Sequence, residues 1–202
     1  MTLPSLRLKA NADRRLRAGH LWVYSNEIDV AVSPLSGFAA GSQAILEAAG
    51  GKPLGIVAMS PQNLICARLL SRDISHVLDK SLLVHRIQVA LSMRERLFDK
   101  PFYRLVFGDS DFLPGLVVDR FGDILVAQLA SATMEQCKND VVAALVQVLK
   151  PSGILLKNDS AARDAEGLER YVTTAHGAVP EWVALEENGV KFEAPVLQGQ
   201  KT

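Results

Sequence analysis

Residues 73–98, DISHVLDKSLLVHRIQVALSMRERLF, place apolar side chains at Ile74, Val77, Leu78, Val84, Ile87 and Leu91. This three-to-four spacing predicts one long helix. The residues before it read as short strands with little helix, and those after it as strands, a helix and further strands. The helix therefore divides the chain into a β-rich module and a following α+β module, with itself as connector. A length of 202 residues suits one large domain or two small ones. With 49% hydrophobic and 22% charged residues, the chain has the apolar material for an ordinary globular core.

Before the helix, LRLK and HLWVYSNEI read as strands, separated by a short helical turn at ADRRLRAG that Gly19 closes. GSQAILEAAGGKPLGIVAMS reads as a hairpin with Gly50-Gly51 at its tip, and NLICARLLS as a closing strand. Several short strands with Gly and Pro turns predict a small barrel or pseudo-barrel over residues 1–72. The connector occupies 73–100 and a central α+β domain 101–180. That domain opens with the strands YRLVFG, GLVVDRFGD and ILVAQLA. A helix over ATMEQCKNDVVAALVQVLK follows, with Thr133 and Gln136 in capping-box spacing and Pro151 as its stop. GILLKN is another strand, then a loop or short helix. Residues 181–202 hold a final hairpin turning at Asn188-Gly189.

Net charge is zero, but residues 1–72 hold eight Lys/Arg against four Asp/Glu, whereas 73–202 hold fourteen against eighteen. A basic module followed by an acidic one points the first half towards an anion, with nucleic acid the leading candidate over simple solubility. The longest apolar run, VVAALVQVL at 141–149, is too short to cross a bilayer, and MTLPSLRLKA lacks the apolar segment of a secretory signal. Cys66 and Cys137, 71 residues apart without CxxC spacing, suit free thiols in a reducing cytosol. The expected location is cytoplasmic.

FGDSDFLPGLVVDRFGD gathers Asp109, Asp111, Asp119 and Asp123 within fifteen residues. They are either metal ligands in a small hydrolase or turn and strand-end residues beside Gly and Pro, and the second reading is favoured. His20, His76, His85 and His176 show no zinc-site spacing, so no metal is expected. The terminal GQKT fails the phosphate-loop rule, which requires Gly where Gln200 stands. No Gly-rich strand-to-helix turn or nucleophile elbow is present. The residues alone show no catalytic centre.

RRLRAGHLWVYSNEI is more informative. Arg14, Arg15 and Arg17 share a helical turn, and His20, Trp22 and Tyr24 follow at alternate positions of one strand face. Guanidinium groups beside aromatic surfaces suit RNA, whose phosphates need neutralising and whose unstacked bases need a platform. Arg68 and Arg72, near the closing strand, extend the same candidate surface. The competing reading makes Trp22 and Tyr24 barrel core, and for Trp22 core packing is favoured.

The blocks RLRAGHLWVYSNEI, FGDSDFLPGLVVDRFGD, KNDSAARDAEGL and ENGVKFEAPVLQGQKT resemble, in order, a bacterial family. These are the S-adenosylmethionine-dependent methyltransferases that make 5-methylcytosine in 23S ribosomal RNA, of the large-subunit methyltransferase I type. The resemblance covers essentially the whole chain, and LPGLVVDRFGD and GQKT are its most specific parts. It implies a PUA-like RNA-binding pseudo-barrel, a strand-strand-helix-strand-strand domain and a hairpin leading to a Rossmann-like catalytic domain beyond Thr202. On that reading the partner is large-subunit ribosomal RNA. S-adenosylmethionine serves the full-length protein, with Gln200, Lys201 and Thr202 adjacent to its site, and these 202 residues alone are inactive. The chain departs from the family pattern at Leu21, where Pro is usual, and at Lys157-Asn158, where Arg-Ser is usual. Asp159, Arg163 and Glu166 keep the family spacing, and a local ion-pair network among them is expected to hold their loop. A stand-alone RNA-binding adaptor is the alternative, and the assembly state stays open, a homodimer included.

Overall fold

Alternating burial explains the first sheet. The computed structural model describes residues 3–187 and 189–197. Strands β1 (Ser5–Arg7), β2 (Trp22–Tyr24), β3 (Gln43–Glu47), β4 (Pro53–Met59) and β5 (Ile65–Ser71) form one sheet in the order β1-β3-β4-β5-β2. β1 runs parallel to β3, and the other pairs are antiparallel. Leu6, Val23, Ala44, Leu46, Val57, Met59, Ala67 and Leu69 point into its curl, joined by Leu16 of helix α1 (Asp13–Arg17). The β3–β4 hairpin closes through Ala48–Lys52, with Gly51 at φ +83° as its left-handed residue.

A second sheet has the order β10-β9-β8-β7-β6. Its strands are β6 (Phe102–Phe107), β7 (Leu116–Phe121), β8 (Ile124–Leu129), β9 (Gly153–Asn158) and β10 (Tyr171–Gly177). Only β8 and β9 pair in parallel, across the crossover helices α3 (Ala132–Gln136) and α4 (Lys138–Leu149). Helix α2 (Lys80–Leu97) and α4 cover one face, where Leu125, Ala127, Ile154 and Leu156 meet Leu83, Ile87, Val141 and Leu145. A hairpin of β11 (Trp182–Glu187) and β12 (Val190–Pro195) covers the other, packing Val183 and Leu185 on Ile124, Val126 and Leu155. Covered on both faces, β8 is apolar at five of its six positions. The architecture is α+β, a curled β-rich sheet followed by a helix-backed sheet and a terminal hairpin. No helix among the described residues is long and apolar enough to cross a membrane.

Three local expectations need correction. The connector helix begins at Lys80, not Asp73. Asp73 spends its side chain on Ser75, and Gln43 holds Leu78 outside the helix by accepting from its amide (2.8 Å) and donating to its carbonyl (3.0 Å). Asp79 then caps the helix by accepting from Leu82 N at 2.9 Å. The crossover helix is capped by Ser131, not by a Thr133–Gln136 box, and breaks at Cys137, while the Gln136 side chain donates to Ala40 O at 2.9 Å. Strand β10 lies where the sequence reads as loop or short helix: it is a polar sheet edge, so its alternation is faint. At the final hairpin, Gly189 has φ +81°, while Asn188 lies outside the described residues.

The two sheets share one core. Ile56, Ala58 and Leu70, on the outer face of the first sheet, pack with Leu78, Leu83 and Ile87. Gly41 sits at this seam at φ +82°, where a Cβ would lie 2.5 Å from Gln136 Nε2 and 2.8 Å from the Ala132 carbonyl carbon. Gly41→Ala therefore combines left-handed strain with an overlap against backbone, and is expected to cost about 1–3 kcal/mol. The midpoint of urea unfolding measures this, and an unshifted midpoint would refute the close approach.

Candidate nucleic-acid interface

The short helix α1 presents its three arginines in three different states. Arg15 turns inward: it donates to both Glu27 carboxylate oxygens (3.0 and 3.2 Å) and to Trp22 O, and lies 4.9 Å from the Tyr24 ring centre. It ties the helix to β2 and is committed to structure. Arg17 pairs with Asp13 one turn back at 2.6 Å while remaining exposed. The hydrogen bond from Arg17 holds the Asp13 carboxyl below its usual value. The side chain of Arg14 is exposed and has no hydrogen bond or ion pair among the described residues.

The other candidates fall on two sides of the same sheet. Arg17, Lys52 and Arg72 rim a shallow depression of about 190 Å³ floored by Leu16, Leu46, Pro53, Leu54 and Leu69. His20 is exposed in the segment before β2, so it does not extend that strand. Trp22 is not core: it is 42% exposed, and its Nε1 donates to Asp109 of the second sheet's β6–β7 connection at 2.7 Å. The register sets Trp22 opposite Arg68, which is half-buried on the outer face. Burial of the indole fails because β2 is an edge strand, and its inward position belongs to Val23. Arg14, Lys52, Arg68 and Arg72 have no acidic side-chain partner among the described residues. Gln200, Lys201 and Thr202 lie outside the described residues.

The aspartates at 109–123 have structural roles. Asp111 takes a two-pronged bond from Arg94 (2.6 and 2.7 Å) and accepts from Phe107 N, whereas Asp119 lies within β7 and pairs with Arg104 at 2.9 Å. No group of three or more His, Cys, Asp or Glu side chains among the described residues is placed to hold a metal. The expected Asp159–Arg163–Glu166 network does not form. Lys157 takes Asp159, Arg163 is drawn into the core by Glu135, and Glu166 crosses the seam to accept from Ser60, Asn63 and Ala132 N. Partners separated by 87 to 106 positions leave no local signal, so the sequence could not reveal the Trp22–Asp109 and Glu166 links.

Burial pushes the Cys66 thiol up to about 11, and burial also raises that of Cys137. Neither is a ready thiolate. The first amides of α3, where a strand-to-helix turn would receive an anionic ligand, are taken by Glu166 (at Ala132 N) and Ser131 (at Met134 N).

The comparisons match this geometry at two levels. Residues 6–72 match the family model of a PUA-like domain, which defines the class of the first module. Over the whole chain, the ribosomal RNA large subunit methyltransferase I of Aliivibrio fischeri is 36% identical across 203 residues, covering 98% of this chain and 50% of that protein. The Vibrio cholerae protein of the same name is 34% identical with the same coverages. The chain thus spans about half the length of the curated relatives it matches. A solved chain from Streptococcus mutans, described as a candidate SAM-dependent methyltransferase, shares the fold at a TM-score of 0.78 and 20% identity, over 98% of this chain and 50% of its own.

Proposed function

We propose that this chain is the RNA-recognition portion of a cytoplasmic, S-adenosylmethionine-dependent methyltransferase that acts on cytosine C5 of large-subunit ribosomal RNA. The carrying observation is the PUA-like sheet with four basic side chains that make no ion pair among the described residues, beside an exposed tryptophan. The whole-chain similarity to ribosomal RNA large subunit methyltransferases supports the substrate class. Arg14, Arg68, Arg72 and Lys52 meet phosphates, Arg17 lines the depression beside them while paired with Asp13, and Arg15 holds α1 and β2 in place. S-adenosylmethionine supplies the methyl group, and its site lies outside the described residues. Attack on a cytosine ring needs a cysteine thiolate, which neither buried Cys66 nor Cys137 provides.

Four cations meeting phosphates give a slope of log affinity against log salt of about −3, a loss of roughly 50- to 150-fold between about 50 and 200 mM salt. Filter retention of an unmodified large-subunit RNA fragment reads this slope. Incubation of the same complex with labelled S-adenosylmethionine is expected to transfer no methyl group. Salt-insensitive binding contradicts RNA recognition, and methyl transfer contradicts the separation of recognition from chemistry.

A further inference from the structure

Three aromatic rings stand exposed where the two sheets meet: Trp22 (42%), Phe107 (53%) and Phe112 (52%). Large rings left in water forgo the gain of burial, and a group of them at one joint marks a binding surface more than scatter does. The connection between β6 and β7 holds them together. Trp22 donates to Asp109, Phe107 lies two residues before Asp109, and the Phe112 amide donates to the Asp109 carbonyl at 3.1 Å. Phe112 is left-handed at φ 57°, a region that a non-glycine residue seldom adopts, and Arg86 bonds its carbonyl to keep it there.

Guanidinium groups surround the rings. Arg104 lies 5.2 Å from the Phe107 centre and Arg86 5.9 Å from that of Phe112, while Arg68 stands across the strand from Trp22. Arg68 and Arg86 have no acidic partner among the described residues. Asp109 Oδ1 is buried and accepts no hydrogen bond among the described residues.

We propose that Trp22, Phe107 and Phe112 form a platform on which unpaired nucleobases stack, so that single-stranded RNA crosses from the PUA-like sheet onto the second sheet. The proposal rests on the RNA-recognition reading above and adds the second sheet to the surface. Every base offers a π-face, so such a platform tolerates sequence while the guanidiniums meet the intervening phosphates. A protein partner would also cover the rings, but two uncompensated guanidiniums beside them favour a polyanion.

The test titrates the full chain, Phe107→Ala and Phe112→Gly with a labelled uridine oligomer of about 12 nucleotides and with an RNA duplex of equal length. Glycine accepts the left-handed backbone, so Phe112→Gly removes the ring without adding strain. Each variant is expected to lose single-strand affinity by roughly 5- to 150-fold, with duplex affinity and salt slope unchanged. Phe112→Trp, which keeps a ring, is expected to retain binding. Undiminished single-strand affinity in both ring deletions overturns the platform. If Arg68→Ala and Arg72→Ala still weaken binding in that case, the RNA-recognition reading survives without it. If the unaltered chain binds neither RNA at low salt, both fall. Ring deletions that abolish self-association in sedimentation while sparing RNA affinity also overturn the proposal and make the patch a protein interface.

Discussion

Arg163→Ala is expected to destabilise the chain by about 3–5 kcal/mol, because it removes one member of a buried charged network and strands the others. Arg163 is 1% exposed. Its Nε donates to Glu169 O at 2.8 Å, its Nη1 to Glu135 at 2.9 Å and to Leu129 O, and its guanidinium lies 5.1 Å from the Tyr171 ring centre. Glu135 also accepts from Tyr171 OH at 2.9 Å and Lys138 at 3.3 Å, so the network ties α3, α4, β8 and β10 together. Arg163→Lys keeps the charge but not the fork, and is expected to recover less than half of the loss. Burial pushes the Glu135 carboxyl up, but the hydrogen bonds from Tyr171, Arg163 and Lys138 outweigh it and hold the group below its ordinary 4.5. A depressed folded value stabilises the protein above that ordinary value, and the contribution fades as pH falls through the folded one. The gap between wild type and Arg163→Ala in urea unfolding should therefore narrow as pH falls below the ordinary 4.5. A loss under about 1 kcal/mol, or a gap independent of pH, would contradict this role.

Glu166→Ala is expected to cost about 2–3 kcal/mol and to loosen the seam between the sheets. One carboxylate accepts from Asn63 Nδ2 (2.8 Å), Ser60 Oγ (3.1 Å) and Ala132 N (3.2 Å), so its removal leaves donors from both sheets unanswered. Glu166→Gln keeps two acceptor lone pairs and should lose about half as much. Amide hydrogen exchange is the discriminating readout. Faster exchange at Ala132 and across the Ser60–Asn63 turn is expected, with β8 and β9 still protected. Equal acceleration over the whole chain would instead make Glu166 a general stability residue with no special part in docking.

What the sequence could and could not reveal follows from the range of each interaction. The β3–β4 hairpin was legible because alternation and a Gly tip are local, and β8 because burial on both faces leaves an apolar run. Helix α2 was legible in its body but not its start: Gln43, 35 positions away, bonds the Leu78 backbone outside the helix, and periodicity alone runs back to Asp73. β10 escaped because an edge strand with exposed Val172, Thr173 and Thr174 carries no hydrophobic signature. At the candidate site, the basic character was legible from composition. Which arginines are free was not, since Arg14, Arg15 and Arg17 differ only in what Glu27 and Asp13 do in three dimensions. For Trp22, a candidate for RNA contact, residue type alone favours core packing, whereas an edge strand turns Val23 inward in its place. Phe107 and Phe112 drew no notice because nothing in their sequence neighbourhood announces exposure.

The central claim is that the cations left without acidic partners in the PUA-like module meet RNA phosphates. The salt dependence of RNA affinity in Arg14→Ala/Arg68→Ala/Arg72→Ala tests it most directly. These side chains make no hydrogen bond or ion pair among the described residues, so their removal should leave the fold intact by circular dichroism. Three lost phosphate contacts should flatten the slope of log affinity against log salt by about 2 to 3. A slope equal to that of the unaltered chain, in a variant that is folded, would contradict the claim.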